Sequence, residues 1–292
     1  MQKLIKSFFE EAEILGKYSE HTIKNYKVTY NQFQKYLNSI NKSWLEVEPK
    51  KDVMGFLSML KEKNKGLSKA TINAKLGALK SLYLYFEGEG YIDFDPTKGI
   101  TRVAPDKKIK SRLTRREVNS LINHAHCKRD KAIIALLYAS GLRISELTAL
   151  NKDDIYEVSE EINVKGVEIQ TYGKGRKERR IFIPQRYIKY TFDYLAERKD
   201  NLDALFISNR GKRIHPDTIR KNIDKLLEEV NIDKNVTPHT FRRSYATYLL
   251  NKGVPMSLIS ENLGHSGEMV THQSYADYTD KTRSEATAKA FI

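Results

Sequence analysis

Cysteine occurs once in this 292-residue chain, at Cys127, which excludes an internal disulfide framework and a zinc site built on cysteines. Seven prolines and 15 glycines are too few for a collagen-like or low-complexity chain. Long apolar runs are missing as well: the longest, Ala132 to Leu142, falls short of a bilayer and contains Ser140 and Gly141. The N-terminus is charged and amphipathic and does not have the form of a secretory signal. There is no Walker loop, His-Glu-x-x-His, Gly-x-Ser-x-Gly or EF-hand pattern. The histidines include no helical pair at metal-ligand spacing, since His124 and His126 fall on different faces. Metal-assisted phosphodiester hydrolysis therefore has little support. These absences lead us to expect a soluble, cytoplasmic protein with no membrane segment, no metal and no cofactor.

Positive charge is what the chain has in excess. Lys and Arg total 51 against 37 Asp and Glu, a formal charge of +14. The excess is +5 up to Ala104 (17 against 12) and +9 beyond it (34 against 25), so it is not a detachable tail. At this length two domains are expected. A basic surface spread over two domains suits a clamp on a polyanion, bound through counterion release. The plain alternative is a well-solvated surface with no partner.

The first hundred residues carry helical periodicity. Leu4, Ile5, Phe8, Phe9, Ala12 and Leu15 share one face before Gly16. Ile23, Tyr26, Tyr30, Phe33, Leu37 and Ile40 mark a second helix behind a Ser19 cap, and Val53, Phe56, Leu57 and Leu60 a shorter third. Ser68 opens a fourth, with Ile72, Leu76, Leu79, Tyr83 and Phe86 on one face and Lys69, Lys75 and Lys80 on the others. From Asp93 to Arg112 the periodicity fails, and Pro96, Gly99, Pro105, Lys107, Lys108 and Lys110 read as an extended basic linker.

Thr114-x-x-Glu117 then forms a capping-box pattern ahead of Val118, Leu121 and Ile122. A strongly apolar helix over about Asp130 to Ala139 follows and stops at Gly141. Ile162, Val164, Val167 and Ile169, and then Ile181 and Ile183, alternate as strands around a Gly-rich turn. Helices are expected again after Pro184, His215-Pro216, Thr237-Pro238 and Pro255. The second domain thus reads as mostly helical with one small antiparallel sheet.

Four segments of this domain carry candidate chemistry. Gly141-Leu142-Arg143-Ile144-Ser145-Glu146-Leu147 sets Arg143 between two helices, with Glu146 as its partner; a buried ion pair that only joins the helices is the alternative. Tyr172 to Arg180 reads as a hairpin tip in which glycines flank Lys174 and Arg176 and Lys177 add charge. Thr237-Pro238-His239-Thr240-Phe241-Arg242-Arg243 starts a helix. There His239 and Arg242 face one side near the positive end of the helix dipole, with Arg243 one step round. Last come Leu263-Gly264-His265-Ser266 and Gln273-Ser274-Tyr275-Ala276-Asp277-Tyr278.

In this order the segments resemble the tyrosine recombinase (phage-integrase) family, and most closely its Xer branch. The family's Gly-Leu-Arg-x-Ser-Glu-Leu run is matched at Arg143, its Gly-Lys-Gly-x-Lys-Glu-Arg hairpin at Lys174, its His-x-x-Arg at His239 and Arg242, and its Leu-Gly-His at His265. In typical Xer chains the nucleophilic tyrosine comes nine residues after the last histidine. Here Tyr275 comes ten after it and Tyr278 thirteen, so a one-residue insertion within Ser266–Val270 keeps Tyr275, with Tyr278 the fallback.

The resemblance implies a mainly α fold: an N-terminal four-helix, SAM-like DNA-binding domain over 1–100, a basic linker over 101–112, and a mostly helical catalytic domain over 113–292 with a small antiparallel β-sheet. It implies site-specific recombination of double-stranded DNA through a 3′-phosphotyrosyl intermediate, without metal or ATP. Tyr275 is then the nucleophile, Arg143, Arg242 and His265 donors to the phosphate, His239 the group that accepts or orients the tyrosine proton, Lys174 the general acid and Glu146 a support for Arg143. Lys69, Lys75, Lys80, Arg176, Lys177 and Arg243 are candidate DNA contacts. Also implied are a nucleoid-associated location, a dimer per site, a homotetramer on synapsed DNA, and a C-terminal helix over Thr279–Ile292 that docks on a neighbouring protomer. Resolution of chromosome or plasmid dimers, with a possible accessory cell-division or partition protein, is the expected role. The alternatives are integration of a mobile element, a catalytically silent DNA-binding protein of the same fold, and a type IB topoisomerase-like relaxer.

Overall fold

The structure, a computed structural model, describes residues 2–63, 67–104, 111–157, 165–172 and 178–264. The chain divides into two compact units, Met1–Lys108 and Ile109–Ile292. No helix among the described residues is long and apolar enough to cross a membrane.

The first unit contains α1 (Gln2–Ile14), α2 (Glu20–Ser39), α3 (Lys51–Lys63) and α4 (Lys69–Gly88). Gly16, at φ +58°, follows α1, while Ser19 and Ser68 accept the backbone N–H of Thr22 and Thr71 and cap α2 and α4. The apolar faces meet in an aromatic core. Phe33 is fully buried, its ring centroid 5.0 Å from those of both Trp44 and Phe56. The Tyr30 hydroxyl donates to the Ala78 carbonyl at 2.9 Å, which satisfies the polar end of a buried ring.

The extended linker expected from Asp93 onward is corrected in its first part. Asp95 Oδ1 accepts from both the backbone N–H and the hydroxyl of Thr97, the Pro96 carbonyl accepts from Lys50 N–H, and Ile100 is buried. Asn73 of α4 brackets Val103, donating to its carbonyl at 2.8 Å and accepting its N–H at 2.9 Å. Side-chain bonds here satisfy the backbone in place of a helix. Hydrophobic periodicity cannot register such a segment. Lys107, Lys108 and Lys110 lie outside the described residues.

The second unit contains α5 (Arg115–His124), α6 (Lys128–Ser140), α7 (Ile144–Ala149), β1 (Ile155–Glu157), β2 (Gly166–Tyr172), β3 (Glu178–Pro184), α8 (Gln185–Leu195), α9 (Pro216–Glu229), α10 (Pro238–Asn251) and α11 (Met256–Leu263). Thr114 and Glu117 form the capping box at the start of α5. Every residue of α6 from Ala132 to Ser140 is buried, so this helix runs through the core and packs on α5, α8 and α10. The sheet is antiparallel in the order β1-β2-β3, with Ile155 opposite Ile169 and Ile169 opposite Ile181. β1, a three-residue edge strand, was not expected. Ile162 and Val164 lie outside the described residues.

Two glycines shape the region that matters below. Gly141 ends α6 at φ +63°, and a Cβ there would meet Tyr245 Cδ1 at 2.6 Å and Leu263 Cδ2 at 2.9 Å, so its bareness lets α10 and α11 close on the end of α6. Gly264 ends α11 at φ +60°, where a Cβ would lie 2.6 Å from an Arg179 guanidinium nitrogen.

Candidate active site

The site is assembled where α6 and α11 end and α7 and α10 begin. Arg143 occupies the cap position of α7 in extended conformation. Its Nη1 donates to Glu146 Oε1 at 2.6 Å and its Nη2 to the Gly264 carbonyl at 3.3 Å, with 32% of the side chain exposed. Arg242, the fifth residue of α10, is buried at 4% exposure. Its Nη1 donates to the Gly141 carbonyl at 2.8 Å and its Nη2 to the Leu263 carbonyl at 2.5 Å. The two guanidiniums thus hold consecutive carbonyls, Leu263 and Gly264, at the C-terminus of α11. Those carbonyls have no partner within the helix and carry the negative end of its dipole, so cations are stabilised there.

Glu146 accepts more than was expected of it. Besides the Arg143 side chain, its carboxylate takes the Arg143 backbone N–H at 2.7 Å and two bonds from Arg179, at 2.7 and 3.3 Å. Burial alone pushes this carboxyl upward; the bonds from Arg179 and the Arg143 amide outweigh it and hold the group below the usual carboxylate range. His239, two residues into α10, is shifted down from its usual value near 6.5, first by desolvation and then by the charges of Arg242, Arg143, Arg243 and Arg220. A neutral imidazole beside two guanidiniums can accept a proton.

Sequence reasoning therefore chose Arg143, Glu146, His239 and Arg242 as one group, and the fold brings them together. Lys174, Arg176, Lys177, His265, Tyr275, Tyr278 and the segment Thr279–Ile292 lie outside the described residues. The candidate DNA contacts that are described have partners in the fold. Lys75 Nζ donates to Gln32 at 2.5 Å, and burial pulls that ammonium below its ordinary value. Lys80 Nζ donates to the Ile100 carbonyl at 2.6 Å, and Arg243 Nη1 to the Ser111 carbonyl at 2.9 Å. Lys69 opens α4.

Two arginines of this region were missed. In sequence Arg179 reads only as part of a cationic hairpin, yet its phase with Ile181 and Ile183 places it on the buried face of β3, and its side chain is 8% exposed. Arg213 donates to the Thr148, Ala149 and Leu150 carbonyls at 2.8 to 3.0 Å and so closes the far end of α7. Nothing in its local sequence signals that role. Among the described residues, no group of three His, Cys, Asp or Glu side chains is placed to hold a metal ion.

Comparison with known proteins gives this arrangement its context. Residues 111–282 match the model of the phage integrase family, and residues 5–90 that of the phage integrase N-terminal SAM-like domain. The tyrosine recombinase XerD of Oceanobacillus iheyensis is 33% identical, over 96% of this chain and 95% of that protein. The chain belongs to the phage integrase family. Another relative, the tyrosine recombinase XerA of Pyrococcus horikoshii, is 34% identical over 98% of this chain and 93% of its own length. A crystal structure of XerA recombinase matches with a TM-score of 0.52 at 27% identity, covering 97% of this chain and 96% of that one. The XerH recombinase in a post-cleavage complex with its difH substrate shares the fold, with a TM-score of 0.73 at 21% identity over 99% and 84%. As a phage integrase family member of the tyrosine recombinase type, the protein is a site-specific recombinase that cleaves and rejoins DNA. Its fold is mainly α, with a SAM-like N-terminal unit and a small antiparallel sheet.

Proposed function

We propose that this tyrosine recombinase acts as an Xer-type resolvase of chromosome or plasmid dimers, with Tyr275 as nucleophile and Arg143, Lys174, His239, Arg242 and His265 as its catalytic side chains. One observation carries the assignment of the site: Arg143 and Arg242 are fastened to adjacent carbonyls at the end of α11, beside a histidine kept neutral.

A phosphodiester resists nucleophiles because its non-bridging oxygens are already negative, and attack adds charge to them. Two guanidiniums offer forked donors to those oxygens and stay charged at any working pH. Each preorganised donor of this kind is worth about 10²–10³ in rate. A phenol with its pKa near 10 is ionised to only about one part in a thousand at pH 7, so it needs an acceptor for its proton. His239 fills that role. Attack of the Tyr275 oxygen on phosphorus forms the 3′-phosphotyrosyl bond and breaks the bond to the 5′ oxygen, which takes a proton from Lys174. The energy of the broken ester is kept in the new one, so the 5′ hydroxyl of a second duplex reverses the step without ATP. His265 adds a further donor to the phosphate.

Residues 1–100 grip one face of the double-stranded DNA, the segment 101–112 links the domains, and residues 113–292 perform the chemistry. Two protomers occupy each site, four form the synapse, and strands exchange in pairs through a Holliday junction. The segment Thr279–Ile292 docks on the neighbouring protomer. Relatives that support the Xer reading match over nearly the whole of this chain.

The test is a nicked suicide duplex carrying the genomic target, incubated with magnesium chelated. A covalent protein–DNA adduct is expected in the wild type and is lost in Tyr275→Phe. An adduct that persists in Tyr275→Phe but not in Tyr278→Phe moves the nucleophile. Loss of supercoils with no exchange between duplexes makes the protein a relaxer instead.

A further inference from the structure

We propose that Arg179 is a positioning residue of the active site: it takes up the charge of Glu146, so that the Arg143 fork is left for the scissile phosphate. The inference rests on the assignment of Arg143 above.

A carboxylate and a guanidinium of matching geometry close into a two-bond pair when nothing else competes for either. At Glu146 something does. Oε2 accepts Arg179 Nη2 at 2.7 Å and the Arg143 backbone N–H at 2.7 Å, which leaves the Arg143 side chain a single bond to the carboxylate, from Nη1 to Oε1, beside its longer Nη2 bond to the Gly264 carbonyl at 3.3 Å. Arg179 Nη1 reaches that same Oε1 at 3.3 Å. Glu146 and Arg179 are buried together, with side chains 6% and 8% exposed, whereas Arg143 is 32% exposed. The better-shielded ion pair is thus Glu146 with Arg179, and Arg143 is the cation facing outward. In charge terms, Arg143, Arg179 and Arg242 around one carboxylate leave +2 for the substrate; without Arg179 the same pocket holds +1.

Arg179 is also tied in from its other side. Its Nε donates to the Asn262 carbonyl at 3.0 Å, and Gly264 has no Cβ to push its guanidinium aside. One side chain therefore links β3, the start of α7 and the last turn of α11. It is five residues beyond the proposed general acid Lys174, and the carbonyl it holds, that of Asn262, is three residues before His265 in the chain. Because it acts through Glu146 and Arg143 and not on the DNA, its loss is expected to slow cleavage without weakening DNA binding.

The experiment is single-turnover cleavage of the nicked suicide duplex by wild type, R179K, R179Q, E146Q and the double variant R179Q/E146Q. DNA affinity and thermal unfolding are measured on each. R179Q is expected to cut about 10²-fold more slowly than wild type with its DNA affinity within about threefold. R179K, which keeps the charge but not the fork, falls between the two. In the double variant there is no carboxylate charge to absorb, so it is expected to cut within about tenfold of E146Q alone. This comparison stands even where R179Q does not fold, because a pair of amides leaves no unpaired charge in the interior. A double variant that folds and binds DNA yet cuts about 10²-fold more slowly than E146Q overturns the proposal, since Arg179 would then matter with nothing to neutralise. R179Q cutting at the wild-type rate overturns it as well. In both cases the wild-type adduct leaves the recombinase assignment standing, whereas a wild type that forms no adduct removes the assignment and this inference together.

Discussion

Truncating Arg242 and truncating Arg143 should cost the same in chemistry and very different amounts in stability. Arg242 is buried and donates to the Gly141 and Leu263 carbonyls, both at helix C-termini. Arg242→Ala strands those two acceptors at roughly 1–3 kcal/mol each, or about 2–4 kcal/mol together if water reaches part of the gap. In a domain of this size that is a fall in Tm of roughly 5–15 °C. Arg143→Ala leaves Glu146 with both Arg179 bonds and the backbone N–H, so about 1 kcal/mol is expected from its lost hydrogen bonds. Each variant removes one forked donor and should slow single-turnover cleavage by about 10²–10³ or more. Differential scanning fluorimetry beside the suicide-duplex assay separates the two effects. Equal Tm losses for the two variants, or Arg242→Ala cleaving within about tenfold of wild type, would refute the division of labour between a buried anchor and an exposed fork.

His239 makes the pH dependence specific. Its imidazole is held below 6.5, so cleavage should be flat from pH 8 to pH 7 and fall only as acid protonates the ring. His239→Gln should remove that acid limb and slow cleavage about 10²–10⁴-fold; a limb centred above pH 6.5 in wild type contradicts the assignment. Gly141→Ala should destabilise by at least about 1–2 kcal/mol from the left-handed backbone alone, and the clash with Tyr245 and Leu263 should add to this. An unchanged urea midpoint would rule that out. If Lys75 and Lys80 let go of Gln32 and Ile100 to reach phosphates, each alanine variant should lower the slope of log Kd against log salt by about one. A slope that does not move takes that lysine out of the interface.

Some of the site was legible because its residues fall at helix ends, where short patterns carry meaning. Gly141 stops one helix, Arg143 and Glu146 open the next, and Thr237-Pro238 starts the helix that aligns His239 with Arg242. Arg179 was legible in principle, by its phase with Ile181 and Ile183, but the run of cations around it reads as solvated surface. Arg213 was not legible at all, since its acceptors are backbone carbonyls more than sixty residues away in sequence. The segment after Asp93 misled for a related reason: backbone satisfied by Asp95 and Asn73 leaves no hydrophobic period to read.

Local chemistry along the chain was enough to settle the helical character of both units, the caps at Ser19, Ser68 and Thr114, the hairpin frame and the family, because each depends on residues a few positions apart. Which charges are neutralised and which remain available was decided only in three dimensions. Burial and the meeting of β3, α7, α10 and α11 at two glycines set that balance, and these bring together groups that no spacing along the chain relates.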